Sequence, residues 1–215
     1  MEKMKKTQKI HIITSISLLI SFIVWTVLVG NVDVKPIGPN ASTVGFATLN
    51  AAFHKLTGTN MTLYVITDWL GLVPIAVAFG FAVLGLVQWI KRKSIFRVDR
   101  NILVLGIFYL STMAIYVLFE YVVINYRPIL INGYLEASYP SSTTMLVTCV
   151  IPTAMIQLKE RIKSRVWRRT VILLLASFTL FMVVGRLISG VHWLSDIVGG
   201  LLVSAGLVCA YRSAT

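Results

Sequence analysis

Long apolar runs, each close to the length of a bilayer crossing, alternate along the chain with short segments that are either basic or rich in turn-forming residues. Six runs stand out, at approximately residues 11–30, 63–90, 101–122, 141–158, 170–188 and 195–211. A helix needs about 20 predominantly apolar residues to cross a hydrocarbon core of about 30 Å, so each run predicts one transmembrane helix. Pro74 and Pro152 fall inside the second and fourth runs, where each is able to kink a helix. Gly199, Gly200 and Ser204 give the sixth run a small-residue face suited to close helix packing. The longest block between runs, 31–62, opens with a turn-rich stretch (Asn31, Asp33, Pro36, Gly38, Pro39, Asn40). It continues into residues 44–56, where apolar and small polar residues recur at roughly helical spacing, which predicts an interfacial helix lying on the membrane. The expected fold is therefore all-α: a polytopic bundle of six transmembrane helices with an external interfacial helix, forming a single domain over residues 1–215.

Composition agrees with a bilayer as solvent. The chain is 57% hydrophobic and only 13% charged, and its mean hydropathy is +0.82. A net charge of +12 would suit nucleic acid in a soluble protein, but here the placement of the cations is decisive. Sixteen of the 20 Lys and Arg residues precede the first run, follow the last, or lie between runs two and three and runs four and five. Only Lys35, Lys55, Arg127 and Arg186 fall on the other side. The positive-inside rule then puts both termini in the cytoplasm and segments 31–62, 123–140 and 189–194 outside. No basic surface domain interleaved with aromatics is present to bind nucleic acid. The first run is longer than a usual signal core and has no small-x-small site before Asn31, so it reads as a retained anchor. Cys149 and Cys209 sit inside runs, and neither they nor the three histidines have zinc-ligand spacing, so no metal is expected. Short loops and a basic N-terminus fit a multi-pass protein of a bacterial plasma membrane.

Ionisable side chains beside a bilayer are costly, which makes each a functional hypothesis. Asp68, Glu120, Arg127, Glu136, Arg186, His192 and Asp196 all fall at or near the outer face. One spacing is specific: Arg186, five residues, His192, three residues, Asp196. With a helix starting near His192, Asp196 is its i+4 neighbour, placed to hold the imidazole Nδ1 proton and leave Nε2 as base or nucleophile. Arg186, and Arg127 after the third run, offer planar guanidiniums for phosphate oxygens. Pro140-Ser141-Ser142-Thr143 opens the fourth run, where hydroxyls and free backbone N–H groups at a helix N-terminus suit an anion. The plainer readings are a snorkelling Arg127, a helix-capping Ser141 or Thr143, a Glu120–Arg127 ion pair two turns apart, and an Asp68 that pairs with a polar neighbour.

The order Arg-Pro, Pro-Ser and Arg-x5-His-x3-Asp on six spans resembles the type 2 phosphatidic acid phosphatase superfamily of membrane lipid phosphatases. The resemblance implies a cofactor-independent mechanism at the extracytoplasmic face, in which His192 attacks phosphorus to form a phosphohistidine and Asp196 orients it. It also implies that Arg127, Arg186 and Ser141, with Ser142, Thr143 and nearby backbone, hold the phosphoryl oxygens of a lipid phosphate substrate. Two positions depart from the family pattern. Glu120 stands where the first motif has a lysine, and Thr143 where the second has the histidine that protonates the leaving group. General acid catalysis is worth roughly 10²- to 10⁴-fold, so the departure bears on substrate. A lipid diphosphate, with polyprenyl diphosphate favoured, has a leaving phosphate that needs little protonation. Otherwise His54 or Glu136 supplies the proton, or the protein is a non-catalytic lipid-phosphate binding or transport protein on the same scaffold.

Overall fold

The computed structural model describes residues 2–215, with side chains from residue 6 onward; the cationic side chains of Lys3 and Lys5 lie outside the described set. Eight α-helices account for the architecture: α1 (Glu2–Asn31), α2 (Ala47–Thr57), α3 (Met61–Leu70), α4 (Leu72–Arg92), α5 (Arg100–Tyr121), α6 (Ser142–Arg161), α7 (Arg165–Ile188) and α8 (Leu194–Ala214). The all-helical expectation holds, and the apolar runs coincide with helices.

Among the described residues, five segments are long and apolar enough to cross a bilayer: 6–31, 61–92, 100–121, 165–188 and 194–214. Their surfaces expose large apolar side chains such as Ile23, Phe79, Leu110 and Leu174, as helices facing lipid must. The second segment is 32 residues long and is not one helix. It breaks at Gly71 between α3 and α4, because Pro74, at the third position of α4, has no N–H and its ring crowds the carbonyl four residues earlier. The short α3 is thereby freed to place its own residues at the site.

The expected fourth span, α6, is the exception in composition. It carries Ser142, Thr143, Thr144, Thr148, Thr153 and Gln157, and it is not among the five apolar segments. Its position explains this. α6 packs against α4, α5, α7 and α8, and Val147, Cys149, Ile151, Thr153, Ala154 and Gln157 are wholly buried. A helix wrapped by protein needs no lipid-facing apolar surface, and two of its hydroxyls are satisfied within the helix: Thr148 and Thr153 each donate to the carbonyl four residues back.

α8 is the second inner helix, packed on α1 and α6. The small-residue face expected from the sequence is used there. A Cβ on Gly200 would lie 3.2 Å from the Ser141 carbonyl oxygen, so a larger residue would push apart the two helix starts that form the site. Gln8 of α1 donates to the Ser213 carbonyl at the far end of α8, and Asn101 of α5 donates to Glu160 of α6. The basic helix ends thus gather at one end of the bundle, and the ionisable residues singled out above gather at the other.

Segment 31–62 is more than a strip on the membrane surface. α2 packs against the start of α8, with Asn50 fully buried. Segment 123–140, which the charge pattern assigns to the outside, folds back as a hairpin. Ser138 N–H donates to the Asn125 carbonyl and Arg127 N–H to the Glu136 carbonyl, at 2.9 and 3.0 Å, and Ile131 and Tyr134 exchange two further bonds. The turn is Asn132-Gly133, with φ of 50° and 84°, the left-handed pair that a two-residue hairpin requires.

Candidate active site

The site forms where the hairpin, the N-termini of α6 and α8, α3 and the end of α7 converge. His192 lies in the α7–α8 connection and not on a helix, since α8 begins at Leu194. The turn is fixed by Gly190, whose φ is +67° and whose Cβ position would fall 1.8 Å from the Gly58 carbonyl oxygen; only glycine fits. His192 is 3% exposed. Its Nε2 lies 3.3 Å from Arg127 Nη1. A guanidinium only donates, so Nε2 is the unprotonated nitrogen and the proton sits on Nδ1. Burial, followed by the charges of Arg127 and Arg186, holds the imidazole well below its ordinary pKa of 6.5. The ring is therefore neutral at physiological pH, as a nucleophile must be.

Asp196 is fully buried, one helical turn inside α8. Its Oδ2 accepts the Trp193 N–H at 2.9 Å, the acid-to-N-cap half of a capping box. Oδ2 also lies 3.8 Å from His192 Nδ1, beyond hydrogen-bond distance. Nδ1 has no hydrogen-bond partner. The i, i+4 spacing brings the two together, but through a turn followed by a helix and not along one helix face.

Asp196 is held from beneath by residues that the motifs do not include. Asn125 donates to Asp196 Oδ1 at 3.1 Å and to Ser195 Oγ at 3.3 Å, while its own amide oxygen accepts the Gly45 N–H at 3.1 Å. Asn50 accepts the Ser195 N–H at 3.1 Å and donates to Ser195 Oγ at 2.9 Å. Asn50 thus satisfies one of the otherwise unpaired N–H groups that begin α8. The signal for Asn125 was its place two residues before Arg127; for Asn50, a polar side chain on the inward face of an amphipathic stretch.

The two arginines are buried, at 8% exposure for Arg127 and 1% for Arg186, which sets aside a snorkelling Arg127. Both guanidiniums face the ring of Tyr64 on α3, with their carbons 6.0 and 4.8 Å from its centroid. Arg186 also donates to Thr67 Oγ1 at 3.4 Å and to the Tyr64 carbonyl at 3.5 Å. Each arginine has a carboxylate: Asp68 Oδ1 is 3.3 Å from Arg186 Nη2, and Glu136 Oε2 is 3.0 Å from Arg127 Nε. Asp68 therefore pairs with a polar neighbour, as the sequence suggested. Arg127 takes Glu136 and not Glu120, whose pairing was one of the plainer readings; Glu120 lines a small pocket with Tyr116 and Ser142.

Ser141 is fully buried at the start of α6, yet its side chain does not cap the helix. Its backbone N–H donates to the Asp196 carbonyl at 3.1 Å, which joins the two helix starts. Ser141 Oγ and Arg186 Nε are buried without a hydrogen-bond partner, and Arg127 Nε meets only the Glu136 carboxylate. Polar atoms so placed are costly unless a ligand completes them. Ser142 and Thr143 are half-buried and line, with Asp68, the upper end of a mostly apolar cavity of about 430 Å³ that descends between α4, α5 and α6 past Ile75, Met113, Leu146 and Val150. His54 lies apart from the phosphate groups. Its Nε2 is 3.1 Å from the Gly190 carbonyl oxygen, and its ring packs on Trp193 at 5.6 Å. Among the described residues no cluster of three or more His, Cys, Asp or Glu could hold a metal ion.

Residues 121–214, which carry the hairpin, α6, α7 and α8, match the family model of the PAP2 superfamily. Over this stretch, a little under half of the chain, the sequence is similar to the PAP2 superfamily. The match spans Arg127, Ser141, Arg186, His192 and Asp196. Over most of its length the chain has the fold of a solved structure described as the first transmembrane PAP2 type phosphatidylglycerolphosphate phosphatase from Bacillus subtilis. The TM-score is 0.55 at 19% identity, covering 93% of this chain and 94% of that one. α1 to α5, outside the PAP2 match, are therefore part of the shared fold. No curated protein matches the chain.

Proposed function

We propose that the protein is a membrane lipid phosphatase in which His192 Nε2 attacks the phosphorus of a lipid phosphate or diphosphate. The observation that carries this reading is the set of buried, unpartnered polar atoms around a neutral histidine whose Nε2 is unprotonated. A phosphoryl group between Arg127 and Arg186 would satisfy Arg186 Nε and Ser141 Oγ at once and take the place of Glu136 on Arg127. The lone pair of Nε2 forms the N–P bond as the P–O bond to the leaving group breaks, and the leaving oxygen takes the electron pair. Asp196 steadies the positive charge that develops on the imidazole. Water then attacks phosphorus, the N–P bond breaks, and orthophosphate is released. Positioning and fixed charge supply most of such catalysis.

The apolar cavity supports a lipid as the bearer of the phosphate, because it opens beside Thr143 and Asp68 and runs along helices that face the bilayer. The positive-inside pattern supports an extracytoplasmic site, with both termini in the cytoplasm, α6 as a sixth span, and the plasma membrane as location. Thr143 supports a diphosphate, polyprenyl diphosphate above all, since a threonine cannot protonate a poor leaving group. Glu136 is paired with Arg127, so it is a candidate acid only once the incoming phosphoryl group has displaced it from that arginine. His54, whose Nε2 faces a carbonyl away from the arginines, is the weaker of the two.

The same Thr143 favours a second reading, that the protein binds lipid phosphate without turnover. Phosphate release from lipid monophosphate and diphosphate in detergent, compared between wild type and His192→Ala, separates them. Release from the diphosphate that depends on His192 is the expected result. Equal background in both proteins contradicts the enzyme reading.

A further inference from the structure

We propose that Asp68 and Glu136 are resident counter-ions of the phosphate site, occupying the two arginines when it is empty and yielding them to the incoming phosphoryl group. This rests on the reading of Arg127 and Arg186 as phosphate ligands. It adds a determinant of affinity that neither the motifs nor the resemblance contains.

The two ion pairs share an asymmetry. Side-chain exposure is 2% for Arg186 and 10% for Arg127, but 57% for Asp68 and 41% for Glu136. The cations are fixed in the protein while the carboxylates sit at its surface. Arg186 keeps its place without Asp68, because Thr67, the Tyr64 carbonyl and the Tyr64 ring also hold it. Arg127 keeps its backbone bond to the Glu136 carbonyl whatever the Glu136 carboxylate does. Glu136 stands opposite Arg127 because the Asn132-Gly133 turn sets the register of the hairpin. Asp68 stands on α3, which the break at Gly71 separates from α4.

A buried guanidinium without an anion is costly, so the empty site requires such partners. Phosphate binding is then an exchange of one anion for another, and the affinity measured is the difference between two contacts. Exchange also limits how tightly the orthophosphate product is held, since either carboxylate can return to its arginine as phosphate leaves. The cost falls on ground-state binding and on product release, and not on the nucleophile.

Full-length protein in detergent tests this with orthophosphate as the probe, read both by competition and by the rise in unfolding temperature, neither readout needing the native substrate. Asp68→Asn and Glu136→Gln are each expected to bind orthophosphate about tenfold more tightly, the worth of one charge-assisted contact. Asp68→Glu, which restores the charge, should stay near wild type. Unchanged or weaker binding in both neutral variants overturns the proposal while leaving the phosphatase reading intact. Failure of wild type to bind orthophosphate at all overturns both. An experimental structure of the wild type with bound tungstate serves as a check independent of any variant's folding. Carboxylates moved beyond 4 Å from both guanidiniums support the exchange, and both ion pairs retained alongside the anion overturn it.

Discussion

At His192, burial and the neighbouring guanidiniums act in the same direction, and the ring stays neutral well below pH 6.5. Because the pH dependence of kcat/KM reports the free enzyme, its acid limb should lie below pH 6.5, where an exposed histidine would already be half protonated. A limb at or above 6.5 would contradict this. Asp196→Asn removes the charge that steadies the imidazolium and should lower kcat roughly 10²- to 10⁴-fold with little change in fold. Thr143→His restores an acid at the mouth of the cavity. It should raise turnover of a lipid monophosphate by about 10²-fold, and that of a diphosphate by less than about tenfold. Equal gains on both substrates would sink the leaving-group argument. Most of the candidate site residues that the structure brings together were legible in the sequence, because few cations and imidazoles occur in so apolar a chain. Tyr64 was not legible, and Asn50 and Asn125 carried only a positional signal, since an aromatic or amide side chain carries no chemistry until its neighbours are known.

At the scale of elements, the hydrophobic runs located every long helix but could not show where protein, and not lipid, surrounds one. α6 was read as a span like the others, although its hydroxyls and Gln157 mark a helix enclosed by its neighbours. The break at Gly71 was partly legible through Pro74. The hairpin was missed even though Asn132-Gly133 is a strong turn signal, because the flanking residues do not alternate clearly between apolar and polar. Gly190 tests how the site is held. Gly190→Ala forces a Cβ onto the Gly58 carbonyl at a positive φ and should cost about 2 kcal/mol or more. A drop of about 4 °C or more in the unfolding midpoint in detergent is expected, with activity lost in proportion as His192 shifts. An unchanged midpoint would show that the α7–α8 connection can relax, and that the turn does not fix the histidine.

For the whole molecule, basic helix ends at one end of the bundle and a phosphate-shaped site at the other give the chain a direction across the bilayer. In a background lacking Cys149 and Cys209, Tyr134→Cys at the hairpin tip should react with an impermeant thiol reagent on intact cells. Lys163→Cys, between α6 and α7, should react only after permeabilisation; the reverse pattern would place the site in the cytoplasm. The proposed direction rests on charge alone, because it depends on which loops are basic and not on how helices pack. The packing that turns scattered polar residues into one pocket depends on contacts between segments far apart in the sequence, and only the structure supplies it. The account centres on a covalent bond between His192 and phosphorus. Its most direct test is to quench full-length protein with alkali during turnover of a lipid diphosphate and map phosphate on the chain by mass spectrometry. The account predicts phosphohistidine at His192, stable to alkali, labile to acid and absent from His192→Ala. Steady turnover by wild type with no phosphate on His192, or undiminished turnover by His192→Ala, would contradict it.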